Sequence, residues 1–418
     1  MWKESSEEPQ PLRTGLTTGT CATACCVAAA HHLLSRLNKE KKDIDEAIFS
    51  PKQVSITLPK GKIVELTIGS YSPVMSGVEN NIASDSEHLV KTTTIKDAGD
   101  DPDATHGATV FVELSLQDKN HITFSAAEGV GTVTRDGLAL AIGEPAINPV
   151  PRKMMLEHLQ DVAKEYAYQG GFSVAVGIEN GEAIAQKTMN PRLGIMGGLS
   201  VLGTTGIVRP FSCAAWIASI FQGMDVAIAN GIDHLVATTG NTSEEAIKNH
   251  HEKLGSPLSD MALIEMGDFA GAVLKHAKKV SVKQLTFCGG IGKISKLANG
   301  HMDLNSRVSA IDFQHMADIA QSLGADETLL EKIIQANTSV EVLQLCQQHN
   351  IPMGDALCEQ ALIVAREKIA RKTISRKKPS DNIILTVWAI DRKGCFVGYA
   401  SDEILGDKIK TSENGKLE

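Results

Sequence analysis

The sequence predicts a mixed α/β fold: a strand-rich α+β N-terminal domain followed by an α/β three-layer domain with a mainly parallel sheet. Three observations predict it. Short alternating apolar runs crowd residues 54–178, with few helical stretches between them. From Leu199 onward, strand and helix patterns alternate four times in series. Each of those four strand patterns ends in a loop rich in Gly, Thr or Asn, which is where a parallel sheet presents ligands.

The elements follow in order. Residues 1–11 read as a flexible tail; Met1–Gln10 is acidic and polar and lacks the apolar segment of a signal peptide. The run Arg13-Thr-Gly-Leu-Thr-Thr-Gly-Thr-Cys-Ala-Thr-Ala-Cys-Cys26 is a glycine- and hydroxyl-rich loop entering a small-residue helix. Thr17, Thr18 or Thr20 serves as N-cap, and Cys21–Leu37 is helical. Such a junction aims backbone N–H groups and hydroxyls at one spot, which suits an anionic group; a plain capped helix packed through its alanines satisfies the same pattern. Val54–Leu58 and Ile63–Ile68 flank a Pro-Lys-Gly-Lys turn and form a hairpin. Leu89–Lys96, Thr109–Leu116, Ile122–Ser125 and Phe172–Ile178 are strands, and Met154–Tyr166 is a helix.

The texture changes after Asn190-Pro191-Arg192, so the domains are placed at 12–190 and 191–375, the latter with a helical end. Strands at Leu199–Leu202, Ile232–Ala237, Met261–Glu265 and Gln284–Phe287 each precede a helix. Residues 309–373 are helical by periodicity, and 376–418 reads as an added C-terminal extension carrying a β-hairpin.

Composition limits the function classes. The net charge of −9 argues against a broad phosphate-binding surface, and 4% aromatics argue against base-stacking platforms. No nucleic acid and no membrane partner is expected. Eight scattered cysteines without a Cys-x-x-Cys pair point to reduced thiols in the cytoplasm and to no metal site.

Several strings carry candidate chemistry. Asp97-Ala-Gly-Asp-Asp-Pro-Asp-Ala-Thr-His-Gly107 crowds four carboxylates and a histidine into one loop. A metal site, a general base with its orienting partners, or an Asx-turn loop explains it, with acid–base use or substrate orientation ahead of metal. The candidate catalytic residues are His106, Asp101, Asp97 and Asp103. Gly129-Val-Gly-Thr-Val-Thr-Arg135 lacks the third glycine of a dinucleotide fingerprint. Gly143-Glu-Pro-Ala-Ile-Asn-Pro-Val-Pro-Arg152 is rigidified by three prolines. Leu202-Gly-Thr-Thr-Gly206 closes the first unit of the second half, with Arg209 nearby.

Together with Thr239-Gly-Asn241 and Gly289-Gly-Ile-Gly-Lys293, these strings resemble the cobalt-precorrin-5B C1-methyltransferase family of anaerobic cobalamin biosynthesis. The resemblance runs in order over about 12–370 and leaves 376–418 outside it. It implies two mixed α/β domains and an S-adenosylmethionine-dependent transfer of methyl to C1 of a ring-contracted corrinoid. Cobalt enters only as part of that substrate. A homodimer is admitted. A non-catalytic corrinoid- or nucleotide-binding protein is the alternative; it needs the same loops but no base. On the enzyme reading, Gly203, Thr204, Thr205, Thr239, Gly240, Asn241, Gly289, Gly290 and Asp268 are the expected cofactor contacts; the alternative is that the second half binds the corrinoid and the first half the cofactor. Arg13, Thr17, Thr18, Thr20, Arg135, Arg152 and Arg209 are the expected contacts to the substrate, whose many carboxylates call for local cations.

Overall fold

The structure is a computed structural model describing residues 11–42, 47–73, 89–370 and 383–403. Expectations for 1–10, 376–382 and 404–418 lie outside the described residues. The chain forms two compact units, residues 1–212 and 213–418.

The first unit opens with β1 (Gly15–Leu16) and α1 (Thr18–Lys42). The hairpin β2 (Gln53–Thr57) and β3 (Ile63–Thr67) is antiparallel, as its turn predicts. Then come β4 (Ser70–Pro73), β5 (Leu89–Ile95), β6 (Thr109–Gln117), β7 (Ile122–Ala126), and the two-residue β8 (Gly129–Val130) and β9 (Thr132–Val133). α2 (Pro149–Glu165), β10 (Gly171–Ile178) and α3 (Gly181–Ala185) follow. A five-stranded sheet, β4-β5-β6-β10-β7, forms the body. The alternating Val110, Val112 and Leu114 of β6 face one way into the core with Val174 and Val176 of β10. Against them lies the small-residue stretch of α1, whose Cys21, Ala22, Ala24, Cys25, Cys26 and Ala28 are all at most 1% exposed. Side chains this short let the helix backbone approach the sheet closely: Thr92 Oγ1 donates to Cys25 O at 2.9 Å. The helix begins earlier than its apolar stretch, at Thr18, and Thr17 Oγ1 accepts from Thr20 N, making Thr17 the N-cap.

Three short strands complete this unit: β11 (Ile195–Met196), β12 (Gly198–Leu199) and β13 (Ile207–Val208). They pair with β9, β8 and β1 respectively. This corrects the expected boundary at 190/191. Residues 191–212 are bonded to strands far earlier in the chain, and the Leu199 strand belongs to the first unit, not to the parallel sheet.

The second unit holds α4 (Cys213–Ala229), β14 (His234–Thr238), α5 (Asn241–Lys253), β15 (Leu263–Glu265), α6 (Ala270–Ala277), β16 (Gln284–Gly290) and α7 (Ile291–Ala298). Four helices follow, α8 (Phe313–Ser322), α9 (Glu327–Ile334), α10 (Ser339–Gln348) and α11 (Met353–Ala370), then β17 (Ile384–Ile390) and β18 (Phe396–Ser401). The sheet order is β15-β14-β16-β17-β18, parallel except for the edge strand β18. Strand parity divides the core. Leu235, Ala237, Ile264, Leu285, Phe287, Leu385 and Val387 point into the cluster shared with α4, α6, α7 and α11. Val236, Leu263, Cys288 and Ile390 point the other way, onto Ile247 of α5. The result is the expected three layers.

The chain passes from β14 through α5 to β15 on one side, and from β16 through α7–α11 to β17 on the other. The loops leaving β14 and β16 therefore diverge, and their strands are neighbours. That is the switch point of a doubly wound sheet, where ligands bind.

The hairpin expected at the C-terminus is present, but it is not an addition to the fold. β17 pairs with β16 over seven residues, and Leu385, Val387 and Ala389 are buried. Gly354 of α11 lies so close to β18 that a Cβ would stand 1.7 Å from Val397 O. Truncation after Ala370 is therefore expected to abolish cooperative unfolding of the second unit, read by urea denaturation. A full cooperative transition in the truncated chain would show the hairpin to be an appendage.

Candidate functional site

In the first unit, three of the distant strings are laced around the start of α1. Leu16 N donates to Asp97 O at 2.8 Å, and Asp100 N to Arg13 O at 2.9 Å. Gly15 is required there, because a Cβ would stand 2.0 Å from the carbonyl carbon of Ala98. Thr17 N and Thr20 Oγ1 both donate to Gly206 O, and Gly19 N to Leu202 O. Thr17, Thr18 and Thr20 are at most 5% exposed; Thr17 and Thr20 tie the loop to the helix, their hydroxyls 3.1 Å apart.

The Asp-rich loop sorts into distinct roles. Asp97 is bound bidentately by the Arg13 guanidinium and accepts from Gly99 N at 2.8 Å. These bonds hold its pKa down at about 2, so it stays ionised and is a weak base at neutral pH. Asp103 accepts from the Lys96 ammonium and from Thr105. Burial alone would raise its pKa; Lys96 and Thr105 outweigh that and keep it below the usual value. Lys96 is 2% exposed, so this pair braces the loop. His106 is exposed, and its Nδ1 accepts from Ala98 N at 3.2 Å. With Nδ1 accepting, the neutral ring carries its proton on Nε2 and presents a donor. Asp101 accepts from Phe211 N at 2.9 Å through Oδ1. Phe211 holds φ 54° and is 68% exposed, an uncommon combination for an aromatic residue.

The four candidate arginines differ as sharply. Arg13 is paired with Asp97. Arg152 donates to Ile147 O and Pro145 O and pairs with Glu144, pinning the proline-rich segment. Arg135 is half-buried against Gly194. Arg209 is exposed and makes no ion pair among the described residues.

The second unit contains a cavity of about 690 Å³ at the carboxyl ends of β14, β16 and β17. Its walls include Thr239 and Gly240 after β14, Gly290 to Lys293 after β16, and Asp391 and Arg392 after β17. Gly290 is open: a Cβ there would meet nothing within 4 Å. Gly289 instead backs onto Thr239, where a Cβ would lie 2.6 Å from Cγ2. Asn241 opens α5 but is not among the residues that line the cavity. Asp268 stands behind the wall, its carboxylate bound by Lys293 Nζ and by Asn305 Nδ2.

The expected cofactor contacts thus separate. Thr239, Gly240, Asn241, Gly289, Gly290 and Asp268 belong to the second unit. Gly203, Thr204 and Thr205 belong to the first, where Gly203 packs against Thr17 and Thr205 turns back on Ile207. Sequence reasoning missed Lys296, Ser306, Asn337 to Val340 and Arg392 as cavity residues. One local signal was available: Thr338 caps α10 by accepting from Glu341 N, while the Glu341 carboxylate accepts from Asn337 N. The buried thiols are shifted away from reactivity, Cys21 and Cys288 both pushed up to about 12 by burial.

The brace makes a prediction. Asp103→Ala strands the buried Lys96 ammonium and lowers stability by about 3–5 kcal/mol at neutral pH, measured by urea unfolding. Asp103's folded pKa is depressed, so its contribution is full above the unfolded value of about 3.9 and is lost as pH falls through the folded one. The variant's acid limb is correspondingly flatter. An unchanged midpoint would show that the pair braces nothing.

Known proteins match nearly the whole sequence. The CbiD family matches residues 5–210, ending two residues before the first unit does, and the CbiD C-terminal domain matches 303–400. The latter span includes β17 and β18, so the hairpin belongs to the family pattern, contrary to the expectation that 376 onward lies outside it. A Marinomonas sp. protein named cobalt-precorrin-5B C(1)-methyltransferase is 58% identical over 96% of this chain and 98% of its own length. A protein of the same name from Hahella chejuensis is 53% identical over 97% and 100%. A crystal structure of a cobalamin biosynthesis protein from Archaeoglobus fulgidus is 21% identical, covering 81% of this chain and 85% of that one with a TM-score of 0.34. On the extent and identity of the sequence matches, the chain belongs to the CbiD family.

Proposed function

We propose that this protein is a cobalt-precorrin-5B C(1)-methyltransferase of cobalamin biosynthesis. It transfers one methyl group from S-adenosylmethionine to C1 of the cobalt-containing corrinoid, giving cobalt-precorrin-6A and S-adenosylhomocysteine. The names of its full-length relatives support the reaction. One observation supports the donor's place: the cavity at the β14/β16 switch point is of small-molecule size, and Gly290 leaves its wall open. The free thiols agree with a cytoplasmic setting. No helix among the described residues is long and apolar enough to cross a membrane.

In this reading Thr239, Gly240 and Gly290 contact the donor, which supplies an electrophilic methyl group. Asp268 contributes at one remove by fixing Lys293. The chain's main contribution is positioning, since holding carbon and methyl in contact removes up to about 7–11 kcal/mol of barrier. Loss of a proton from the macrocycle accompanies attack. Asp101 is the better base, because Asp97 is clamped, Asp103 is bound to Lys96, and His106 presents a donor. His106 then orients a substrate acceptor. Arg209 is the arginine available to a substrate carboxylate.

The test incubates protein, donor and cobalt-precorrin-5B and looks by mass spectrometry for a gain of one methyl; no gain with verified substrate removes the reading. Gly290→Leu is expected to raise the KM for the donor by about ten-fold or more without lowering the melting temperature. Asp101→Asn is expected to lower kcat by about 10²–10⁴-fold. A wild-type rate in Asp101→Asn removes it as base.

A further inference from the structure

We propose that the floor of the second unit's cavity is a carboxylate-binding site built by Lys296, Ser339 and the starts of α5 and α7 that follow Gly240 and Gly290. The proposal rests on the reading that a ligand of the methyl transfer enters this cavity.

The helix starts come first. α5 begins after Gly240 and α7 after Gly290, and neither glycine offers a side-chain oxygen to the first-turn N–H groups. By contrast α8, α9 and α10 are capped by Asp312, Asp326 and Thr338, each accepting from the residue three positions on. α6, after Phe269, also lacks a side-chain cap but does not line the cavity. α5 and α7 leave the sheet at its switch point, and both starts line the cavity, with Ser243 Oγ of α5 accepting from Gly240 N. Unpaired N–H groups there present partial positive charge.

Two side chains point to a ligand independently. Ser339 is 5% exposed and lines the cavity, yet its hydroxyl has no hydrogen-bond partner among the described residues. It stands beside Gly292, where a Cβ would be 2.9 Å from Oγ. Lys296 is 6% exposed, lines the same cavity, and donates to Leu304 O at 3.0 Å. It makes no ion pair among the described residues, since Asp268 is taken by Lys293 and Asn305. Burial, helped by Lys293, lowers the Lys296 pKa and outweighs the opposing charges of Asp268 and Asp303. The one carboxylate in the walls, Asp391, accepts from Lys393 N and Cys395 N and serves its own turn. Asp391 is thus held at its own turn, Lys296 is left without an ion-pair partner, and a ligand carboxylate supplies one with charge-assisted hydrogen bonds.

Two ligands of the reaction carry carboxylates: the amino-acid end of the donor and the acid side chains of the corrinoid. Calorimetric titration of the full chain separates them with two matched pairs. One pair is S-adenosylmethionine and its decarboxylated form; the other is cobyrinic acid and its fully amidated counterpart. For one pair, the wild type is expected to prefer the acid by about ten-fold or more, with Lys296→Met and Ser339→Ala each shrinking that preference and Lys296→Arg retaining it. The responding pair identifies the source. Melting curves confirm folding, and Ser339→Ala, a minimal change, carries the test if Lys296→Met unfolds. No preference in the wild type, or the same preference in Lys296→Met and Ser339→Ala, overturns the proposal. Methyl transfer is scored separately: turnover without carboxylate preference overturns this site alone, and preference without turnover overturns the function alone.

Discussion

The parallel pairing of β14 with β16 is the constraint on which the second unit depends. Five residues of β14 run in register against β16, which places their carboxyl ends level. Because β14 leads to β15 and β16 leads toward β17, the connecting backbone must leave in opposite directions. The gap between the loops follows from strand order and needs no special residue to create it. The special residues appear at its rim. Glycine at 240 and 290 leaves the helices that follow without side-chain caps, and glycine at 290 keeps the wall clear of a Cβ.

In the first unit the corresponding constraint is contact between backbones. Gly15 touches Ala98, and Gly99, at φ +68°, touches Arg13 O. No side chain fits between these segments, so the Asp-rich loop is held by main chain, by the Arg13–Asp97 pair and by the Lys96–Asp103 brace. That rigidity fixes where Asp101, His106 and Phe211 sit. Local positive φ at Phe211 is consistent with strain held at a site in use.

Much of the fold was legible because its signals are local. The hairpin at 53–67, the strands of the first sheet and the order of strands and helices after residue 230 all follow from periodicity and turns. The boundary was misread because β11 to β13 are two residues each, and their partners lie tens to nearly two hundred residues earlier. β17 read as a free hairpin because its parallel partner is separated from it by the whole of α7–α11. The Gly/Thr loops announced a binding edge, yet nothing local says that Gly203 belongs with Thr17 and not with Gly290. Lys296 reads in sequence as one lysine of a solvated helix face; only the fold buries it. Asp103 shows the reverse case, where a carboxylate in a dense loop invited a chemical role and the fold occupies it with Lys96.

The account places a ligand of the reaction at the switch point of the second unit. Hydrogen–deuterium exchange of the full chain with and without S-adenosylmethionine tests this most directly, since it reads backbone N–H groups. The account predicts slowed exchange at Asn241–Ser243 and at Ile291–Lys293, the starts of α5 and α7. Protection confined to residues 13–20, 97–107 and 203–206, with the second unit unchanged, would contradict it.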